Sequence, residues 1–153
     1  MKFICDFMLG KLAKYLRICG YDAEFIKGIS DEKLLEIAQR ENRILLTRDS
    51  NLLLRKLVKN GVIKAVFIKD DKIKEQIQQL RDELKLSTDI NLIRCIECNN
   101  VLKEIKKENV KNLVPLYVFK TQEKFLFCPT CKKVFWNGTH VESMRKFFTS
   151  KLL

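Results

Sequence analysis

Two Cys-x-x-Cys pairs, Cys95-Ile96-Glu97-Cys98 and Cys128-Pro129-Thr130-Cys131, constrain this 153-residue chain more than any other feature. A two-residue gap lets one tight turn aim two thiolates at the same ion, and two such turns complete the four soft ligands of a tetrahedral Zn2+ site. A redox pair, a disulfide or four buried thiols are the competing readings. The 29 residues between Cys98 and Cys128 exceed the usual ribbon spacing, but added loop length costs only a logarithmic entropy. So small a module needs a staple, and structural zinc contributes roughly 10–16 kcal/mol of apparent binding free energy. The pattern predicts structural zinc on Cys95, Cys98, Cys128 and Cys131. Cys5 and Cys19 lie in or beside apolar runs and read as small core residues.

The cysteine-rich part also carries most of the charge surplus. Residues 91–153 hold 12 basic and 5 acidic side chains, against 18 and 14 in residues 1–90, within a formal total of +11. Such a balance favours a polyanionic partner, nucleic acid or an anionic membrane surface. No apolar run approaches the roughly 18 residues of a membrane span. The opening Met1-Lys2-Phe3-Ile4-Cys5-Asp6 meets a carboxylate too early for a signal sequence, so the expected location is the cytoplasm, with reduced thiols. There Asn137-Gly138-Thr139 reads as a turn, not a glycosylation site. Composition and cysteine usage shift together near Ser87–Asn91, which predicts two units, 1–90 and 91–153. Nothing in the sequence sets the oligomeric state.

Hydrophobic periodicity gives the first unit its form. Phe3-Ile4-Cys5 is a buried strand, and Leu9, Leu12, Leu16 and Cys19 then recur at helical spacing up to Gly20. Ala23 to Ile26 is a second strand, followed by a helix with Ser30 as N-cap and Asp31 and Glu32 in its first turn. Ile44 to Thr47 is a strand, Leu53 to Val58 a helix closed by Gly61, Ala65 to Ile68 a strand, and Ile73, Ile77, Leu80 and Leu84 a last helix. The alternation predicts an α/β unit with a parallel sheet flanked by helices. In the second unit Val114 to Lys120 and Lys133 to Trp136 read as strands. Thr139 and Glu142 have capping-box spacing for a closing helix.

Ligands of a parallel sheet gather beyond the carboxyl ends of its strands. Asp6 follows the first strand, Asp49 the third, Asp70 and Asp71 the fourth, and Asp31 opens a helix whose start faces the same edge. Carboxylates gathered there repel one another unless a hard cation such as Mg2+ or Mn2+ neutralises them. On spacing alone each has an ordinary alternative: Asp31 as a dipole residue, Asp49 as a turn residue, Asp70 and Asp71 as solvated loop.

Several motifs stand in a fixed order: Asp6-x-Met8-Leu9-Gly10-Lys11-Leu12-Ala13-Lys14-Tyr15-Leu16-Arg17, Gly20-Tyr21-Asp22, Leu45-Leu46-Thr47-Arg48-Asp49, Arg94-Cys95-x-x-Cys98-Asn99 and Trp136-x-Gly138-Thr139-His140. Together they resemble the mutator-seven C-terminal ribonuclease domain family, essentially end to end. The resemblance implies a PIN-like nuclease domain with a C-terminal zinc ribbon. It implies a metal-dependent ribonuclease acting on RNA, with Asp6, Asp31 and Asp49 holding Mg2+ or Mn2+ and Asp70 or Asp71 as a possible outer acid.

Around that site Lys11 and Arg48 are the candidate phosphate contacts, with Lys14 and Arg17 behind them. Tyr117, Phe125, Phe127, Phe135 and Trp136 are candidates for base stacking or for a small core. His140, the one histidine, reads as structural or RNA-contacting and not catalytic. The competing functions are a non-catalytic RNA- or ribosome-binding adaptor and a growth-arrest toxin nuclease.

Overall fold

The apolar runs of the first ninety residues become four short parallel strands. These are β1 (Lys2–Cys5), β2 (Asp22–Glu24), β3 (Ile44–Thr47) and β4 (Ala65–Phe67), in the order β2-β1-β3-β4. In register, Ile4 lies opposite both Glu24 and Leu45, and Leu46 opposite Val66. The central strands are apolar on both faces because helices cover both. α1 (Gly10–Ile18) and α5 (Ile73–Leu84) pack Leu12, Leu16, Ile77 and Leu80 against Phe3, Cys5 and Leu46. α2 (Asp31–Arg40) packs Leu34, Leu35 and Ala38 against Ile4 and Leu45 on the other face. This computed structural model describes residues 1–138 with 141, 142 and 146. Thr139, His140 and most of the expected closing helix lie outside them.

The local stop and start signals act as read. Gly20 ends α1 with φ +88°, where a Cβ would also meet the Asn91 carbonyl at 3.1 Å. Ser30 Oγ accepts the Lys33 N–H at 3.3 Å, capping α2. The helix expected over Leu53 to Val58 is instead two single turns, α3 (Ser50–Leu53) and α4 (Lys56–Lys59), joined through extended Arg55. Leu52, Leu57 and Val58 all pack on the α2-side core. In one straight helix Leu57 would sit about 140° round from Leu52, so the chain breaks to bring both inward.

The second sheet is antiparallel: β5 (Lys103–Ile105), β6 (Phe125–Phe127) and β7 (Val134–Phe135) in that order. The strand expected over Val114 to Lys120 is a helix, α6 (Leu116–Thr121). Pro115 lacks an N–H but occupies the N-cap well, and its carbonyl accepts from Phe119 N at 3.0 Å. Val114, Val118 and Phe119 then pack on Val110 and Phe125, a helical period where a strand would need alternation. Gly138 is fixed by its neighbour, since a Cβ there would lie 2.7 Å from the Trp136 indole nitrogen.

The Cys95–Cys98 turn docks on the outer edge of β2. Asn99, buried and left-handed at φ 69°, accepts the Ala23 N–H at 3.0 Å and donates to Asp22 at 2.7 Å and Glu24 at 2.9 Å. Buried Arg17 reaches from α1 to the Ala23 and Ile96 carbonyls at 2.8 Å and to that of Glu97 at 3.0 Å. The edge strand is thereby covered, removing an open pairing template.

Candidate active site and metal centre

The strand order reverses between β1 and β3, so their carboxyl ends flank the switch point where a parallel sheet opens a crevice. Asp6 leaves β1 there, and Asp49 lies two residues past β3. Asp6 is 2% exposed, yet its charge is well met. Its Oδ1 accepts the Met8 N–H at 3.0 Å, and its Oδ2 accepts the Arg48 N–H at 2.8 Å and the Thr47 hydroxyl. Thr47 Oγ1 in turn accepts the Asp49 N–H at 2.9 Å, linking the two acids through one side chain. Asp49 caps α3 by accepting the Asn51 N–H on Oδ1 at 2.9 Å. Its Oδ2 has no hydrogen-bond partner among the described residues.

Asp31 begins α2 at the same edge and is exposed, beside the Arg55–Glu32 ion pair at 2.7 Å. Asp70 follows β4 and accepts the Lys72 N–H at 2.8 Å. That bond, Asp71 and the Lys72 and Arg48 cations hold its carboxyl below the usual range. The acids therefore share an edge without closing on one point. Among the described residues, the one set of three or more Cys, Asp or Glu side chains whose ligand atoms lie within 4.8 Å of one another is the cysteine quartet.

The expected basic contacts divide. Lys11 is exposed, whereas Lys14 is tied to Glu97 at 3.2 Å and Arg17 is consumed by carbonyls. Arg48 is half-buried, with Nη1 enclosed and without a hydrogen-bond acceptor among the described residues. Of the aromatic candidates, Phe125 is core, and Phe127, Phe135 and Trp136 are half-buried, Trp136 edge-on to Phe125 at 6.5 Å; Tyr117 is 77% exposed. Two residues at the site are assigned no role from the sequence. Thr47 is the only polar residue in β3, which is the signal that could have marked it, and the exposure of Phe7 has no sequence signature.

The two cysteine turns repeat one geometry. Cys95 N donates to the Asn100 carbonyl at 2.8 Å and Asn99 N to that of Cys95 at 2.9 Å. The second turn matches, with Cys128 N to Lys133 O at 2.9 Å and Lys132 N to Cys128 O at 2.8 Å. Asn99 and Lys132 are both left-handed, at φ 69° and 58°. The thiols are unlinked, with Sγ separations of 3.4 Å for Cys98–Cys128 and 3.9 Å for Cys95–Cys131. Burial opposes ionisation of Cys98, but the Asn100 N–H and adjacent thiols outweigh it and lower the group to about 7. Cys131, crowded by the Cys98 thiol and by its other neighbours Cys95 and Cys128, is pushed up to about 12. Four crowded thiols cannot all ionise without a cation, and this donor set can hold a metal such as zinc. Cys5, by contrast, is buried in the sheet core and pushed up to about 12 by that burial.

Compared with protein-family models, the chain matches the Mut7-C RNAse domain over residues 1–148. It belongs to the Mut7-C RNAse domain family. Searches of curated proteins and of solved structures give no significant match. The match runs through both sheets, so the Mut7-C RNAse domain includes the cysteine turns as well as the acidic edge. Membership supports a ribonuclease-like function with RNA as substrate. Among the described residues no helix is long and apolar enough to cross a membrane.

Proposed function

We propose that this chain is a metal-dependent ribonuclease, probing RNA with its basic ribbon and cutting it endonucleolytically at the carboxyl edge of the parallel sheet. The observation that carries the reading is Asp6: a buried carboxylate at the topological switch point, held by three donors, in a chain of a ribonuclease family. Its two oxygens offer about four lone-pair sites, so three donors leave one without a partner. With the free Oδ2 of Asp49 and exposed Asp31, the donor set is hard, anionic and suited to Mg2+ or Mn2+. Such an ion supplies Lewis acidity that activates water and offsets phosphate charge.

The chain's own residues do the positioning. Met8 N, Arg48 N and Thr47 fix Asp6, and Thr47 fixes the Asp49 backbone. No nucleophilic side chain is required, and the Thr47 hydroxyl, bonded to Asp6 and to the Asp49 N–H, positions the two acids. Lys11 and Arg48 offset the repulsion between an acidic edge and a polyanion. Residues 1–90 form the nuclease unit and 91–153 the ribbon, stapled by zinc on Cys95, Cys98, Cys128 and Cys131. A ribbon groove of about 680 Å³ sets Lys106, Lys107 and Lys124 against Glu104 and Glu123 beside half-buried Trp136, and its cations and indole are offered to RNA.

The test incubates protein stripped of loosely held divalent ions, its zinc spared, with labelled total RNA and added Mg2+ or Mn2+. Cleavage requires the ion and falls more than about 100-fold in Asp6→Asn, which still binds RNA. Binding without cleavage across several RNA classes in the unaltered chain would instead establish the adaptor.

A further inference from the structure

Phe7 is 70% exposed and Met8 46%, although both follow directly on the buried Asp6. This is not a loose loop. Asp6 caps the 3-10 turn Phe7–Leu9 through the Met8 N–H, its carbonyl accepts the Leu9 N–H at 3.1 Å, and Leu9 anchors the turn in the core. The Phe7 ring is thus held in water within one residue, about 3.8 Å of backbone, of the acid. A phenylalanine gains roughly 1.5–3 kcal/mol on burial, and this turn, hydrogen-bonded to Asp6 and anchored by Leu9, leaves the ring available for that gain on binding.

A cleft of about 800 Å³ adjoins the turn, lined by Met8 and Gly10, with Lys11, Lys72 and Lys74 set against Asp71 and Glu75. The cleft starts at Met8, the residue after the exposed Phe7, and its lysines together with that ring match a nucleic-acid backbone with an unstacked base. A base within a duplex is already stacked and paired, so only an unpaired one can lie on Phe7. Resting on the ribonuclease reading of the adjacent site, we infer that Phe7 is a base-stacking platform for the nucleotide flanking the reacting phosphate, which makes single-stranded RNA the substrate class.

The experiment uses the zinc-loaded full chain and a labelled mixed-sequence RNA 12-mer, alone or annealed to its complement. Binding is measured by anisotropy without free divalent ions, and cleavage with Mn2+ added. Phe7→Ala weakens single-strand binding about tenfold or more and leaves duplex binding unchanged. Phe7→Trp restores it, and the new indole is quenched by the single strand alone. Thermal melts establish that both variants fold.

If Phe7 dependence appears while no ion supports cleavage, the platform stands and the nuclease reading falls. If Phe7→Ala binds and cleaves like the parent, the inference is overturned and the nuclease remains. Equal use of duplex overturns it as well. So does a concentration-dependent self-association that Phe7→Ala abolishes, because the ring is then a protein contact.

Discussion

Thr47 and Asp22 carry the clearest consequences of single side chains. Thr47 has no exposed surface, donates to Asp6 and accepts from Asp49 N. Thr47→Val keeps the shape but removes one of the two donors to Asp6 Oδ2 and leaves the Asp49 N–H unpaired, which costs about 1–3 kcal/mol. Urea unfolding checks the stability and RNA cleavage the site, where a loss of about 10–100-fold is expected; Thr47→Ser restores most of both. Asp22 is mostly buried, and that burial opposes its charge. Hydrogen bonds from Arg43 at 2.6 Å and Asn99 at 2.7 Å, with Arg94 nearby, outweigh it and hold the carboxyl below its usual value. A depressed native pKa contributes stability that is complete above the unfolded value of about 3.9 and is lost as pH falls through the native one. A metal held by the cysteine quartet would also be released in acid, so the informative quantity is a difference. Between pH 6 and pH 2.5, Asp22→Asn loses less stability than the parent, because its share is already absent; parallel curves from urea unfolding would refute the assignment.

At the scale of elements, the cysteine turn and the edge strand behave as one piece. Ala23 N donates out of the sheet to Asn99 Oδ1, so that single amide reports whether the turn is docked. Removing zinc, or Cys98→Ser, frees the Ala23 amide to exchange with solvent while Ile4 and Leu45 in the sheet centre stay protected, by hydrogen exchange. Asn99→Asp replaces a donor by a third carboxylate beside Asp22 and Glu24, and costs about 3–5 kcal/mol by leaving buried charge uncompensated. The elements themselves were largely legible. α5, the Ser30 cap and the Gly20 stop follow from periodicity and local hydrogen bonding, which neighbours in sequence determine. The α6 segment reads as a strand in sequence because its short apolar run satisfies both periods; Pro115 at the N-cap and the partners Val110 and Phe125 decide for the helix. The acidic edge was legible as positions, since an acid following a strand has one place to go. The Thr47 bridge and the docking of Asn99 were not, because each joins residues that only the folded sheet brings together.

Across the whole molecule, the formal +11 raises the question of whether total charge or its placement holds RNA. Lys106 and Lys124 line the ribbon groove with Phe125 and Trp136. Lys59 and Lys64 flank the amino end of β4, the sheet edge opposite the acids. Each pair removes the same charge when changed to Gln, so net charge cannot distinguish them. Counterion release can, because each phosphate contact on a single strand contributes about −0.7 to the slope of log K against log salt. Without free divalent ions, Lys106→Gln with Lys124→Gln makes the slope shallower by about 1.4, whereas Lys59→Gln with Lys64→Gln leaves it unchanged. Equal effects from both pairs would mean that RNA is held by a diffuse field and that the ribbon has no dedicated track. An effect confined to the ribbon pair would place the strand across the groove. The acids of the parallel sheet could then act on RNA gripped by a separate sheet, held in place by Asn99 and Arg17.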